Sequence, residues 1–256
     1  MSDAESKLSR KQRIRTLLMG IESGDPDSVQ VIHPRKYIQH NPQTHEGRDG
    51  LAALFKRLSQ RSPKVNIVRL FSDGDFVFGQ TEYDFGSPRV GFEVFRFEGD
   101  FTVEHWDNIQ PRLPAHAPGL TMVDGAIEAS DHAKTEFNRS LVATFVDEVL
   151  IGRQTRQRPH ILAPDLVDHS PSAVEGSAST LKLALAEPGG PAGYEKLHRV
   201  LAEGDFVLSV SEGALHGVHS SFYDLFRIDN GKAVEHWSTT EAVPPRSEWK
   251  NDNGKF

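Results

Sequence analysis

The chain has 256 residues with no Cys, 15 Pro, 21 Gly and a formal net charge of -7, a length that fits two ordinary domains better than one large one. With 37% hydrophobic and 25% charged residues spread along its length, it has the apolar content for a real core and lies outside the disordered class. Lack of Cys excludes disulfides, thiolate nucleophiles and Cys-ligated zinc or iron–sulfur sites, so carboxylates and 12 His must carry any chemistry.

The polar, mixed-charge stretch Met1 to Arg15 has no apolar run behind it, so no signal peptide or membrane span is expected and the default location is cytoplasmic. Its basic residues Lys7, Arg10, Lys11, Arg13 and Arg15 read as the solvated face of a first helix, and the acidic balance speaks against a nucleic-acid partner. That helix, from Ser9, carries Ile14, Leu17, Leu18 and Ile21 at helical spacing and ends at Gly24-Asp-Pro. Asp27 to His33 reads as a short helix, and Gly50 to Leu58 shows the stripe Leu51, Leu54, Phe55, Leu58. After Pro63 the period changes to two: Val65-Ile67, Phe76-Phe78, Phe92-Val94 and Phe101-Val103, separated by Ser72-Asp-Gly74 and Glu98-Gly-Asp100 turns. Further along, Phe137, Leu141, Phe145 and Val149 predict a long helix and Leu181 to Leu185 a shorter one. Strands follow near Leu197 to Leu201, Phe206 to Val210, Ser221 to Ile228 and Ala233 to Thr239, with an Asn230-Gly231 hairpin turn.

The second series repeats the first. His40-Asn-Pro42 with Glu46-Gly47 returns as His169-Ser-Pro171 with Glu175-Gly176; Gly74-Asp-Phe-Val77 returns as Gly204-Asp-Phe-Val207; Phe95 to Trp106 returns as Phe226 to Trp237. The offsets, 129, 130 and 131, keep their order, as a duplicated module with two small insertions would. Two domains are expected, 1–120 and 130–250, joined through the Pro-rich stretch Pro111 to Ala129. Each has helices before strands, which predicts an α+β cone: a curved antiparallel sheet whose open side is covered by helices and encloses a pocket.

In Phe101-Thr-Val-Glu-His-Trp-Asp107-Asn-Ile109, alternation puts Val103, His105, Asp107 and Ile109 on one face and Glu104, Trp106 and Asn108 on the other. If the first face lines the concavity, desolvation would raise the Asp107 carboxyl toward the range useful for proton transfer; if it meets solvent, the pair is an ordinary strand surface. Trp106 and Trp237 read as core or interdomain anchors rather than ligand-stacking rings. His40 follows the extended Tyr37-Ile-Gln39; it either fixes the turn through backbone or donates to a carbonyl at the pocket mouth. Glu82 and Glu212 are equivalent strand positions, either internal carboxylates or exposed ones. No phosphate loop, HExxH, EF-hand loop or GxSxG occurs, and His216 with His219 lacks an evident carboxylate partner, so no metal site and no cofactor are expected.

His40-Asn-Pro42 after Tyr37-Ile, followed by a Gly-initiated helix and by Phe95-Arg-Phe with Val-Glu-His-Trp-Asp107 and Gln110, resembles the SnoaL-like polyketide cyclases of the NTF2-like superfamily, related in fold to ketosteroid isomerase and scytalone dehydratase. The resemblance implies cofactor-independent acid/base chemistry on a small, hydrophobic, enolisable carbonyl compound, with Asp107, His105 and His40 as catalytic residues. Tyr37, Phe76, Phe78, Glu82, Phe92 and Phe95 would surround the ligand. The family's His-rich stretch falls at Gln80 to Glu82, where no His occurs. The second copy has Ser238 in place of Asp107, which predicts a degenerate site, and the NTF2-like habit of dimerising implies an intrachain pseudo-dimer, with further homo-oligomers open. A hydrolase or dehydratase on the same fold, in which Asp107 activates water, and a non-catalytic binding protein are the rival expectations.

Overall fold

The computed structural model describes residues 3–115, 120–154, 158–170, 178–186 and 190–256. The chain divides into two compact units, Met1–Pro111 together with Pro244–Phe256, and Arg112–Val243. The stretch from Arg112 onward therefore belongs to the second unit. Residues 244–250, expected with the second copy, belong to the first.

In the first unit α1 (Asp3–Ser23) leads into a 3-10 turn (Pro26–Val31), β1 (Ile38–Gln39), α2 (Gly47–Ser59) and four long strands: β2 (Lys64–Asp73), β3 (Phe76–Asp84), β4 (Pro88–Glu98) and β5 (Phe101–Pro111). The 3-10 turn starts where the Asp25 side chain accepts from Asp27 N–H at 2.9 Å and Pro26 fixes the first φ. Strand order is β1-β5-β4-β3-β2, antiparallel except that β1 runs parallel to β5. One face of the sheet packs under the helices: Ile14, Leu17, Leu18 and Ile21 of α1 and Leu51 and Phe55 of α2 meet Val65, Leu70, Val77, Tyr83, Phe95 and Phe97. Each such side chain contributes roughly 1.5–3 kcal/mol by leaving water, so Phe55→Ala would cost about 3–5 kcal/mol.

The second unit repeats this plan. Here α3 (Thr135–Thr144) runs straight into a π-helical stretch, Phe145–Ile151, followed by α4 (Arg158–Ile161), β6 (Leu162–Asp168), α5 (Thr180–Ala186), β7 (Ala192–Glu203), β8 (Phe206–Leu215), β9 (Val218–Asp229) and β10 (Lys232–Ala242). Strand order is β6-β10-β9-β8-β7, with β6 parallel to β10. The expected Asn230-Gly231 turn has φ of 49° and 74° at its two central residues, the positive pair that a type I′ hairpin requires. Phe137, expected on the buried stripe, is 58% exposed; the helix is buried first at Asn138, and its apolar stripe runs from Val142 through Phe145, Val146 and Val149. The repeated Pro171 to Gly176 lies outside the described residues. Both units have the expected α+β architecture, a five-stranded sheet with helices packed on it, two copies in one chain.

Candidate functional site

In the first unit a cavity of about 480 Å³ opens between the helices and the covered sheet face, a size that suits a small organic ligand. Leu17, Leu54, Phe55, Phe85, Phe95 and Ile109 supply much of its apolar wall, and Tyr37, Gln39, Asn41, Tyr83, Glu93, His105 and Asp107 supply its polar side. Strand registry assembles that side. Glu93 of β4 lies opposite Asp107 of β5, and Phe95 lies opposite His105. The parallel pairing of β1 sets Gln39 beside His105.

The bonding within this group fixes proton positions. Gln39 Oε1 accepts from the Asn41 backbone N–H at 2.9 Å, which identifies that atom as the amide oxygen. His105 Nδ1 lies 3.0 Å from the same oxygen, so Nδ1 carries a proton and donates. Its other nitrogen, Nε2, lies 2.7 Å from Glu93 Oε2, and the Tyr83 hydroxyl donates to Glu93 Oε1 at 2.6 Å. One further proton is thus shared along the short contact between His105 and Glu93. Burial pushes the Glu93 carboxyl above its ordinary value; the charge of Asp107 acts in the same direction, while the bonds from His105 and Tyr83 oppose it. Asp107 is 5% exposed, and its Oδ2 accepts from Asn41 Nδ2 at 2.7 Å while Oδ1 lies 3.4 Å from Lys255 Nζ.

Tyr37 adds an open donor. Its hydroxyl is buried with no hydrogen-bond partner among the described residues. Burial, and then the charges of Glu93 and Asp107, hold its pKa well above the ordinary phenol value, so it remains protonated.

Of the residues expected from sequence, the structure brings Asp107, His105, Tyr37 and Phe95 to the cavity. Four others, Phe76, Phe78, Phe92 and His40, do not line it. Phe92 and Phe78 are buried on the other face of the sheet, opposite Asn108 and Val94 in the ladders. Phe76 lies against Trp106 at 6.3 Å between ring centroids. His40 is stacked on Trp106 at 4.6 Å, with Nε2 at 2.9 Å from Glu104 Oε1 and Nδ1 at 3.0 Å from the Gly254 carbonyl. The backbone group that His40 meets is thus in the C-terminal segment of the same unit and not in its own turn. Glu82 also lies away from the cavity and accepts from Asn66 Nδ2 at 2.8 Å. Glu93, Gln39, Asn41, Tyr83 and Lys255 were not picked out from the sequence. The signal for Glu93 was a carboxylate inside the apolar run Val90-Gly-Phe-Glu-Val-Phe95, matched by Asp224 at the common offset.

Glu93, His105 and Asp107 each offer one atom within 4.8 Å of the others, a spacing that could hold a metal ion. Their donor set argues otherwise. Both oxygens of Asp107 already face N–H donors, from Asn41 and from the ammonium of Lys255, and that ammonium supplies the positive charge a metal would bring. In the second unit, Glu212 accepts from both His198 and His219 at 2.8 Å, so His219 has the carboxylate partner that the sequence did not reveal.

The equivalent positions of the second unit keep the frame and change the chemistry. His236 Nδ1 lies 2.9 Å from Asp168 Oδ1 and Nε2 lies 3.0 Å from Asp224 Oδ1. Burial alone would push this imidazole down, but the two carboxylates more than offset it and push the pKa up to about 9. Burial likewise raises Asp168, yet His236 and donors from Ser179 and Ser170 bring it down to about 2. Ser238, in place of Asp107, donates to Ser170 Oγ at 2.9 Å. His169 repeats His40: it stacks on Trp237 at 4.7 Å, with Glu235 at 3.1 Å.

No family model and no curated protein matches the chain. Among solved structures it is similar to a protein assigned as a ketosteroid isomerase from Kribbella flavida, 23% identical, covering 44% of this chain and 84% of the other at a TM-score of 0.36. It is also similar to a protein assigned as a polyketide cyclase from Bacillus cereus, 12% identical over 43% and 79%, TM-score 0.39. A third is an LEH-like epoxide hydrolase from M. tuberculosis, 18% identical over 41% and 84%, TM-score 0.36. Each likeness covers less than half of this chain.

Proposed function

We propose that the first unit is a cofactor-independent acid/base enzyme acting on a small enolisable carbonyl compound, of cyclase or isomerase type, and that the second unit carries no such site. The observation that supports this reading best is the buried Asp107 beside the proton-sharing pair Glu93 and His105, facing an apolar cavity. Asp107, as carboxylate, removes an α-proton. The free Tyr37 hydroxyl donates to the oxyanion that develops on the carbonyl, where a donor without a prior partner needs no bond broken first. Glu93, its carboxyl raised above the ordinary value by burial, returns a proton at the far end of the enolate or takes one from a hydroxyl, and His105 relays through it. His105 acts on substrate through Glu93, since both its ring nitrogens are engaged.

In the second unit the same imidazole is locked between two carboxylates as a cation, and Ser238 cannot accept a proton at neutral pH. The test is exchange of α-protons for deuterium in a panel of ketones and β-dicarbonyls, followed by proton NMR. Wild type should accelerate exchange of at least one member, and Asp107→Asn should slow it by roughly 10²–10⁴-fold, the usual contribution of a general base. Compounds that bind at the cavity yet show no exchange would sink the enzymatic reading in favour of a binding protein.

A further inference from the structure

The segment 244–256 belongs to the first unit although it follows the last strand of the second copy. It is fastened along the loop between β1 and α2. Lys250 N–H donates to the Pro42 carbonyl at 2.7 Å, and Asn251 Nδ2 donates to the carbonyls of Asn41 and Thr44 at 2.8 and 2.9 Å. Asn253 Nδ2 donates to the Gln39 carbonyl at 3.1 Å and to Glu46 Oε1. The Gly254 carbonyl accepts from His40. Beyond this the chain drives Lys255 inward until the residue is 2% exposed, its ammonium 3.4 Å from Asp107 Oδ1. A lysine is almost never so buried unless it is paired, and the carboxylate it meets is the one proposed above as the base.

We propose that Lys255 is a positioning residue for Asp107, and that segment 244–256 is a strap without which the first unit's site is incomplete. The strap acts at two points. Lys255 draws one oxygen of Asp107 to a fixed place, Asn251 clamps the loop whose Asn41 holds the other oxygen, and Asn253 holds the end of β1, whose Gln39 orients His105. The groups that face Asp107 are then Asn41, Lys255, the like-charged Glu93 across the ladder, and the cavity groups His105, Tyr37 and Tyr83, with Arg57, Glu248 and Lys250 elsewhere in the same lining. Lys255 is the cation bonded to Asp107 itself and offsets Glu93, so removing it makes ionisation of Asp107 harder. The proposal rests on the acid/base reading for its catalytic meaning but not for its geometry, and the test separates the two.

Full-length wild type, Lys255→Met and Lys255→Arg are labelled with ¹³C in the aspartate carboxyls, and the Asp107 signal is titrated. The Met variant keeps the buried aliphatic stem and loses the charge; the Arg variant keeps the charge. The expected result is an Asp107 midpoint about one pH unit higher, a tenfold change in its acid dissociation constant, in the Met variant, with most of the shift reversed in the Arg variant. An unchanged midpoint in both would overturn the proposal, as would an equal rise in both, which would mark packing rather than charge. Deuterium exchange on the same proteins should show kcat falling with KM little changed in the Met variant, and recovering in the Arg variant. A midpoint that responds to Lys255 in a protein with no exchange activity leaves the strap standing and removes the enzymatic reading. Exchange activity with no response to Lys255 does the reverse.

Discussion

His105 and His236 occupy equivalent positions on the last strands of their sheets, and one atom type separates their chemistry. The neighbour on the parallel strand is the amide oxygen of Gln39 for His105 and the carboxylate of Asp168 for His236. An amide oxygen fixes which nitrogen is protonated and leaves the second proton free to move; a carboxylate adds a charge that holds both protons. The exchange Gln39→Asp should therefore give His105 the surroundings of His236. The expected outcome is a ring whose ¹⁵N shifts remain those of an imidazolium at pH 8, with α-proton exchange reduced by about 10²-fold or more. A ring that is neutral at pH 8 in this variant would contradict the account.

At the scale of strands, the two units place a tyrosine over the β4 or β9 carboxylate from different sides of one ladder. In the first unit Tyr83 of β3 donates to Glu93, and its ladder partner on β2 is Val65. In the second, the tyrosine is Tyr194 of β7, donating to Asp224 at 3.0 Å, and its ladder partner on β8 is Gly213. Cross-strand partners share a face, so the hydroxyl stays in place while the residue that carries it crosses to the next strand. Gly213 is the residue such a crossing leaves behind: a Cβ there would come within 2.0 Å of the Gly193 carbonyl. Tyr83→Phe should cost about 1–3 kcal/mol, because Glu93 loses a donor in a buried site, and should move the pH profile of exchange as the Glu93 carboxyl titrates without that bond. Denaturant unfolding and a pH–rate profile would check both, and an unaffected stability would count against the bond. This crossing also shows what the sequence could and could not disclose. Period two placed His105 and Asp107 on one face correctly, because alternation is a property of the strand alone. It did not place Glu93 across from Asp107, since registry between strands is set by bulges such as those at Arg96/Phe97 and Ile67/Arg69. Tyr37, Gln39 and Asn41 share a parity along their segment and line the cavity, whereas the motif residue His40 between them does not.

The whole chain is a duplication in which each unit is completed by the segment that follows the other copy's last strand: 112 onward belongs to the second unit and 244 onward to the first. The internal repeat was legible because both copies retain Gly-Asp-Phe-Val and Val-Glu-His-Trp. Lys255 was not, because 148 residues separate it from Asp107 and nothing in Asn251-Asp-Asn-Gly-Lys-Phe256 carries a period. What duplication left in the second unit is a buried ionic triad, and it has a measurable consequence for stability. His236 has its pKa raised from 6.5 to about 9, so the folded unit holds the proton more tightly than the unfolded chain; the stabilisation is complete below about pH 6.5 and disappears as pH rises through about 9. Asp168 is lowered from 3.8 to about 2, so its contribution is present above about pH 3.8 and is lost as pH falls through about 2. The two shifts describe one interaction and are not added. Removing the cation with His236→Gln strands two buried carboxylates and should cost on the order of 3–5 kcal/mol between about pH 4 and 6.5. Unfolding of the second unit can be followed through Trp237 fluorescence with Trp106 and Trp249 replaced by Phe. The gap between wild type and His236→Gln should narrow steadily from pH 6.5 to 10, because wild type itself loses the imidazolium over that range. A gap that stays constant from pH 6 to 10 would mean that His236 is held by packing and neutral hydrogen bonds, and the charge-locked account of the second unit would fall with it.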